Sequence, residues 1–134
     1  MKEVGFTCGA FDLLHPGHVH FLKLCRESCD ELIVGLHVNP KTDRASKNAP
    51  LQTTFERYYQ IAALGDGYKI VPYDTEHDLE NMLAVLDINF RFVGSDYIDK
   101  PITGAYICEA RGIKIVYIPR LHSWSSSELR KRIV

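Results

Sequence analysis

The sequence predicts a single α/β domain, residues 1–134, in which helices cover both faces of a five-stranded parallel sheet. Short strand-like apolar runs alternate with helix-like stretches along the chain, as in folds whose parallel strands are joined by crossover helices. Hydrophobic residues make up 46% and charged residues 25%, the balance of a soluble globular protein. A chain of 134 residues has the size of one domain with one sizeable core.

The first unit is a strand followed by a helix. Val4–Cys8 is short and β-rich, which predicts the first strand. Pro16 suits a first helical turn because its ring fixes φ and no N–H is needed there. From His18 the apolar residues lie on one face of a helix, which we expect to extend to about Cys29.

The middle of the chain adds two strands and a helix around a polar loop. Leu32–Leu36 has the continuous apolar character of a buried strand. Residues 39–52 are polar and contain two prolines, and a loop of this length in a small domain is often functional. Thr53–Glu56 matches a capping box and predicts a helix to about Leu64. Tyr68–Pro72 is the third predicted strand.

The last third continues the alternation. Leu79–Leu86 and Thr103–Arg111 are predicted helices, and Phe90–Val93 and Lys114–Ile118 are the fourth and fifth strands. A second capping-box match, Ser125–Glu128, opens the last predicted helix. The result is a three-layer, Rossmann-like arrangement.

Polar clusters follow four of the five predicted strands. In parallel sheets covered by helices, ligands bind beyond the carboxyl ends of the strands. Connectivity therefore predicts that these clusters meet at one edge. The four clusters are Gly9–His18, Lys41–Lys47, Gly94–Asp96 and Pro119–Ser127.

The charge balance limits the classes of partner. The chain carries 16 basic and 17 acidic residues, a net charge of −1, so no basic excess favours nucleic-acid binding. No apolar run is long enough for a signal peptide core or a membrane span, and we expect a cytoplasmic protein that binds neither nucleic acid nor membrane. The cysteines form no C-x-x-C pair and are expected to be reduced.

The stretch Gly9–His18 reads GAFDLLHPGH, with His15 and His18 at a predicted strand-to-helix turn. A helix N-terminus offers free N–H groups and partial positive charge, so it attracts anions, and imidazoles beside it can donate to phosphate oxygens. The spacing fits a capped helix with two surface histidines at least as well. The position of His15 and His18 beyond the carboxyl end of a strand, where ligands bind, favours phosphate binding.

A metal site is the third interpretation of the two histidines. A catalytic zinc usually has three protein ligands, and the further candidates are His37, which ends a different strand, and Asp12. We expect no metal held by the protein alone. Mg²⁺ carried in with a nucleotide is a different case, because it needs few protein ligands.

Several cations lie near the same edge. Lys41, Arg44 and Lys47 belong to the polar loop, where a solvated surface is the simplest interpretation of the first two. Arg57 lies one turn into a helix beside Glu56, so a surface ion pair competes with a ligand contact.

Arg120 follows the last strand and precedes a serine-rich helix start, Ser125–Ser127. An arginine fork beside a helix N-terminus is suited to anions. An ordinary serine cap explains the same segment equally well.

These motifs together, in this order, resemble the nucleotidyltransferase superfamily with the H-x-G-H signature, and most closely its small cytidylyltransferases. Gly9–His18 matches G-x-F-D-L-L-H-x-G-H. Lys47–Tyr58 contains the lysine, proline and E-R-Y of the choline- and ethanolamine-phosphate enzymes, and Gly94–Asp96 matches G-x-D. Arg120–Ser127 matches R-T-x-G-I-S-T-T loosely, with Leu121 and Ser123 in place of the threonine and glycine. The resemblance covers nearly the whole chain.

The resemblance implies a reaction in which a phosphate monoester attacks the α-phosphorus of CTP and pyrophosphate leaves. Glycerol 3-phosphate, or a similar alcohol phosphate, is the implied acceptor, Mg²⁺ bridges the phosphates, and a homodimer is implied. The implied catalytic residues are His15, His18, Lys47 and Arg120. The implied nucleotide-binding residues are Gly9, Ala10, Phe11, Gly17, Gly94, Asp96, Ser125, Ser126 and Ser127. The implied acceptor-binding residues are Asp12 and Arg57.

Other functions stay open at this point. Gly94–Tyr97 also resembles the heptose-phosphate adenylyltransferases, so an ATP-dependent enzyme acting on a sugar phosphate or pantetheine phosphate is the alternative. A nucleotide-binding module without catalysis is a further alternative, which the presence of all four implied catalytic residues disfavours. A fragment of a class I tRNA synthetase shares the H-x-G-H logic but does not fit the length.

Overall fold

Five strands form one parallel sheet in the order β3-β2-β1-β4-β5. The structure is a computed structural model and describes residues 1–120, 131 and 132. The strands are β1 Val4–Gly9, β2 Glu31–His37, β3 Tyr68–Tyr73, β4 Phe90–Gly94 and β5 Lys114–Ile118. Each agrees with its predicted strand to within a residue at either end. The α/β, Rossmann-like prediction is confirmed.

Four helices within the described residues cover the sheet. They are α1 Pro16–Glu27, α2 Thr54–Ala62, α3 Glu76–Val85 and α4 Ala105–Arg111. Two short 3₁₀ helices, Pro40–Thr42 and Ser95–Tyr97, lie in the connections after β2 and β4. The helix predicted after Ser125–Glu128 falls outside the described residues, except for positions 131 and 132.

The sheet separates two apolar clusters. One contains Leu22 of α1, Ile61 of α2, and Val34 from the sheet. The other contains Phe6 from the sheet and Leu83 of α3. Burial of large apolar side chains of this kind contributes about 1.5–3 kcal/mol each. Helices α1 and α2 therefore pack on one face of the sheet, and α3 and α4 on the other.

Strand β1 lies at the centre of the sheet, and chain order reverses beside it. It pairs with β2 through Gly9↔Leu36 and with β4 through Phe6↔Arg91, so its two neighbours come from opposite halves of the chain. Such a reversal leaves a crevice beyond the carboxyl ends of the strands. No helix in residues 1–120 or at 131–132 combines the length and apolarity needed to cross a membrane.

Helix α3 begins three residues before the predicted start. Thr75 accepts a hydrogen bond from the Asp78 N–H at 3.1 Å, and the Asp78 carboxylate accepts from the Thr75 N–H at 3.2 Å. This is a capping box with aspartate in place of the usual glutamate or glutamine. The apolar pattern first becomes visible at Leu79, which lies one turn inside the helix.

Candidate active site

A cleft of about 680 Å³ lies at the carboxyl ends of the strands. Its volume is typical of sites for small ligands and cofactors. It brings together the following predicted site residues: Gly9, Ala10, Phe11, Asp12, His15, Gly17, His18, Lys47, Gly94, Asp96 and Arg120. The predicted residues Ser125, Ser126 and Ser127 lie outside the described part of the chain. The expected convergence of polar segments is thus observed for residues from β1, the 39–52 loop, β4 and the end of β5.

His15 is the N-cap of α1, and His18 completes the cap. The Nδ1 atom of His15 accepts hydrogen bonds from the N–H groups of Gly17 at 3.0 Å and His18 at 3.4 Å. The His15 N–H in turn donates to Nδ1 of His18 at 3.4 Å. The two imidazoles therefore form a reciprocal capping box, a role usually filled by Ser or Thr with Glu.

This capping arrangement determines the tautomer of both rings. A ring nitrogen that accepts from a backbone N–H carries no proton, so the ring proton of His15 and of His18 is placed on Nε2. The rings stack with centroids 3.8 Å apart and an interplanar angle of 22°. The turn thus presents two Nε2–H donors, side by side, at the positive end of a 12-residue helix.

The surroundings keep His18 neutral. Burial and the neighbouring His15 lower the pKa of His18 from 6.5 to about 4, and Asp12 opposes this shift. The edge of the Phe11 ring lies against the imidazole, with centroids 5.5 Å apart. At neutral pH, His18 is therefore a neutral hydrogen-bond donor.

Acidification is expected to destabilise the folded chain through His18. Because the pKa of this ring is about 4 when folded and 6.5 when unfolded, the unfolded chain binds more protons between these values. Stability contributed by the neutral ring is present above pH 6.5 and is lost as the pH falls towards 4. An NMR titration should place the midpoint for His18 near pH 4, and the same ring in urea supplies the reference. A folded midpoint at 6 or above would contradict this assignment.

The turn between β1 and α1 has an unusual backbone. Phe11 and Leu13 both lie in the left-handed region, with φ of 49° and 51°, although neither is glycine. Such conformations cost of order 1 kcal/mol per residue and persist where surrounding contacts impose them. Here the contacts come from the residues just before α2.

Asp12 and Gln52 provide those contacts. The Asp12 carboxylate, which is buried, accepts from the N–H groups of Leu51 and Gln52, both at 2.9 Å. The Gln52 side-chain oxygen accepts from the Leu13 N–H at 2.8 Å. We refer to these three hydrogen bonds as the turn clasp. The turn clasp joins the H-P-G-H turn to the end of the 39–52 loop.

Arg57 is placed differently from the expectation. Its side chain is 2% exposed, does not line the cleft and does not pair with Glu56, whose carboxylate caps α2 at Thr53. All five guanidinium N–H donors are engaged within the fold. The acceptors are the carbonyls of Gln52, Ala10, His37 and Val38 and the hydroxyl of Thr54, at 2.7–3.3 Å. Arg57 therefore positions the loops behind the cleft, and the acceptor contact that the resemblance implies for it stays a prediction.

The loop cations differ in their engagement. Arg44 pairs with Glu76 at 2.7 Å across the cleft wall, with about half of its side chain exposed. Lys47 is exposed and lines the cleft. On the other side, the Arg120 N–H donates to the Ser95 hydroxyl at 3.1 Å and so joins the end of β5 to the Gly94–Asp96 turn.

The cleft also has a wall that the sequence reasoning missed. Cys8, Tyr73, Glu76, Arg91 and Thr103 line it on the α3 and α4 side. The sequence does contain a signal for Arg91: it is a charged residue within the otherwise apolar strand FRFV, where a solvent-exposed side chain is not expected. Burial raises the pKa of the Cys8 thiol, which keeps it protonated.

Within residues 1–120, 131 and 132, no group of three or more His, Cys, Asp or Glu side chains has the arrangement of a metal site. The imidazole Nδ1 atoms are occupied by backbone N–H groups, and their Nε2 atoms carry protons. In this tautomeric state the Nε2–H groups of His15 and His18 are suited to donate hydrogen bonds to an anion.

Comparison with known proteins gives a consistent result. Residues 6–132 match the family described as cytidylyltransferase-like. Among curated proteins, the chain is 34% identical over 131 residues to the bifunctional protein HldE of Hyphomonas neptunium and 35% identical over 131 residues to HldE of Nitrobacter winogradskyi. Each alignment covers 97% of this chain and 27% of the relative, so the chain spans about a quarter of their length.

Solved structures share the fold. A lipopolysaccharide core biosynthesis protein from Thermoplasma volcanium superposes with a TM-score of 0.65 at 22% identity, covering 93% of this chain and all of that one. Pantothenate synthetase from Thermus thermophilus superposes with a TM-score of 0.64 at 13% identity, covering 98% of this chain and 64% of the other.

Proposed function

The chain belongs to the cytidylyltransferase-like family, and from this premise we propose that it transfers a nucleoside monophosphate from CTP to a small alcohol phosphate such as glycerol 3-phosphate. Family membership supports a nucleotidyltransferase. One observation carries the proposal: His15 and His18 present two Nε2–H donors at a helix N-terminus inside the cleft. Such a site suits a phosphate chain on which negative charge develops.

In the proposed reaction, an oxygen of the acceptor phosphate attacks the α-phosphorus in line. The bond from the α-phosphorus to the bridging oxygen breaks, and pyrophosphate leaves with the electron pair. No covalent intermediate with the protein is needed, so the chain contributes position and charge stabilisation. His15 and His18 donate to the α- and β-phosphate oxygens, and the N–H groups at the start of α1 face the same charge.

Cations and turns complete the proposed assignment. Lys47 and Arg120 line the cleft on opposite sides of the H-P-G-H turn and bind the triphosphate or the incoming phosphate. The backbone around Gly9 approaches the nucleotide, and the Gly94–Asp96 turn borders the base. Ser125, Ser126 and Ser127 hold the outer phosphates. Asp12 has its place in the turn clasp, and its predicted acceptor contact belongs to this proposal.

Mg²⁺ accompanies the triphosphate in this proposal, where it neutralises phosphate charge. Its ligands would be phosphate oxygens and water, because it favours oxygen and retains several waters. The donor chemistry of the cleft fits this, because the imidazoles offer N–H groups to phosphate oxygens and leave the cation to the phosphates and water. A cytoplasmic homodimer without nucleic-acid or membrane partners, built from a single domain over residues 1–134, is also part of the proposal.

ATP-dependent transfer to a sugar phosphate or pantetheine phosphate is the second candidate. The observation that favours it is the Gly94–Tyr97 segment, GSDY, which borders the cleft where the base would bind. A non-catalytic nucleotide-binding module is disfavoured because the cleft retains His15, His18, Lys47 and Arg120.

Pyrophosphate release tests the proposal. The full chain is incubated with Mg²⁺ and each of the four nucleoside triphosphates, singly, against a panel of alcohol and sugar phosphates and pantetheine phosphate. We expect release with CTP and an alcohol phosphate, and none without acceptor. Release with ATP and an acceptor, but with no other nucleoside triphosphate, would favour the second candidate. No release with any pair, from protein that binds nucleotide, would contradict the enzyme proposal and favour the binding module.

A further inference from the structure

Arg91 is a buried cation in the wall of the cleft. Its side chain is 4% exposed, and it lines the cleft from β4. Within the described residues it takes part in no ion pair. Buried arginines are nearly always paired, because a desolvated charge without a counter-charge is costly. The described residues therefore supply no anion to balance the charge of Arg91.

The neighbours of Arg91 are neutral or already paired. One guanidinium nitrogen, Nη1, donates to the Thr103 carbonyl. The same guanidinium donates a hydrogen bond to the Cys8 sulfur, and burial raises the pKa of this thiol, so Cys8 is neutral. The nearby Glu76 carboxylate accepts from Arg44 at 2.7 Å and from the Thr103 hydroxyl at 3.0 Å, so its charge is balanced by Arg44.

The remaining donors of Arg91 have a specific geometry. The hydrogen bonds to the Thr103 carbonyl and to the Cys8 sulfur use two of the five guanidinium N–H groups, and no further hydrogen-bond partner of Arg91 is observed among residues 1–120, 131 and 132. The N–H groups of Nε and Nη2 lie parallel along one edge of a guanidinium. That edge matches the two oxygens of a carboxylate or phosphate.

The position of Arg91 separates it from the H-P-G-H turn. It pairs in register with Phe6, whose side chain belongs to the cluster covered by α3 and α4, whereas α1 packs on the other face. It also lies three residues before Gly94, which at about 3.3 Å per residue is about 10 Å below the edge of the sheet. A phosphate held by His15 and His18 is therefore a different group from an anion held by Arg91.

Gly35 on β2 allows the side chains of this wall to pack closely together. A Cβ at Gly35 would come within 3.1–3.2 Å of Phe6, Cys8 and Tyr73. The missing side chain lets the Tyr73 ring reach Cys8, its hydrogen-bond partner. Arg91 is thus the cationic side chain of this wall, and it lines the cleft while 4% exposed.

We propose that Arg91 binds a second anionic group of the acceptor, a carboxylate or second phosphate at the end remote from the attacking phosphate. The inference rests on the proposed function for the identity of the acceptor. It narrows the acceptor from a plain alcohol phosphate to a phosphorylated hydroxy acid or a bisphosphate. Glycerol 3-phosphate, whose remote end is a neutral hydroxyl, then serves as the reference compound.

Calorimetric titration with matched acceptors tests this inference without requiring turnover. The three-carbon set is glycerol 3-phosphate, 3-phosphoglycerate and propane-1,3-diyl bisphosphate, and a four-carbon set extends the reach. We expect wild type to bind at least one anionic member about tenfold or more tightly than its neutral partner. The carboxylate and bisphosphate arms identify which anion is preferred. Equal affinity across both sets would overturn the proposal.

Variants connect the preference to Arg91. Arg91→Gln should reduce the preference to twofold or less, and Arg91→Lys, which keeps the charge but loses the fork, should retain part of it. Arg111→Gln is the matched control, because Arg111 donates to the Leu83 and Leu86 carbonyls on the same face but does not line the cleft. If Arg91→Gln does not fold, the wild-type panel and Arg91→Lys decide whether Arg91 binds the second anionic group.

The same preparations distinguish the two proposals. Pyrophosphate release with no preference for anionic acceptors would leave the proposed function standing and overturn the role of Arg91. Preferential binding of anionic compounds without pyrophosphate release from any nucleotide would support the anion site and contradict the proposed transfer.

Discussion

Replacing His18 by alanine is expected to lower kcat by about 10²- to 10⁴-fold, the range for loss of one acid–base group or one preorganised donor. The substitution removes an Nε2–H donor whose direction is determined by the capping box, and it leaves the His15 N–H without its acceptor. The loss should fall mainly on kcat, because the donor contributes most where charge develops in the transition state. Steady-state pyrophosphate release measures it.

The control separates chemistry from stability. His18→Asn retains a side-chain acceptor for the His15 N–H but moves the donor, so it should recover helix capping without activity. The loss of stability in His18→Ala should be about 0.5–2 kcal/mol, as for other N-terminal caps. His77→Ala, at an exposed position on α3, should leave both quantities unchanged. A loss of kcat under tenfold in His18→Ala would exclude the donor role.

Arg57→Met is expected to destabilise the fold by about 3–5 kcal/mol, the largest effect on stability that we predict. The substitution removes five hydrogen bonds to three separate segments and leaves the buried carbonyl of His37 and the half-buried carbonyl of Ala10 without this donor. Arg57→Lys should recover little, because an ammonium group has three donors and no planar fork. Urea unfolding measures both variants.

Arg44→Met is the matched control for Arg57. Its ion pair with Glu76 is half exposed, so we expect a change under about 1 kcal/mol. If Arg57→Met instead unfolds like wild type and raises only the KM for the acceptor, Arg57 has the acceptor contact that the sequence implied, and the structural role assigned above is wrong.

The sheet and its strands could be predicted from the sequence, because short apolar runs rich in β-branched residues, such as Leu32–Leu36, are typical of buried parallel strands. Helix starts were harder. The start of α1 depends on two imidazoles that act as caps, and that of α3 on an aspartate in the capping box. The imidazole caps of α1 do not follow the residue preferences by which helix starts are recognised, and α3 has the preferred N-cap Thr75 but not the glutamate or glutamine of the usual capping box.

The members of the cleft that follow strands could be predicted, since connectivity alone places Gly9–His18 and Gly94–Asp96 at one edge. Arg57 could not, because its partners are carbonyls distant in sequence, and a sequence shows neighbours such as Glu56 and not backbone acceptors. Arg91 was missed for the same reason. Which face of the sheet a strand residue occupies depends on register, which the strands acquire only when paired.

The turn clasp has a consequence for how the site arises during folding. Asp12 and its partner Leu51 are 39 residues apart, so β1, α1 and β2 must assemble before the left-handed backbone at Phe11 and Leu13 is held. Closing a segment of this length carries an entropic cost, which the β1–β2 pairing and the turn clasp offset together. A peptide containing GAFDLLHPGH, or a chain that ends before Leu51, would relax this turn. The backbone geometry of the H-P-G-H turn is therefore acquired late in folding. It depends on the first half of the fold as a unit, not on the ten residues Gly9–His18 alone.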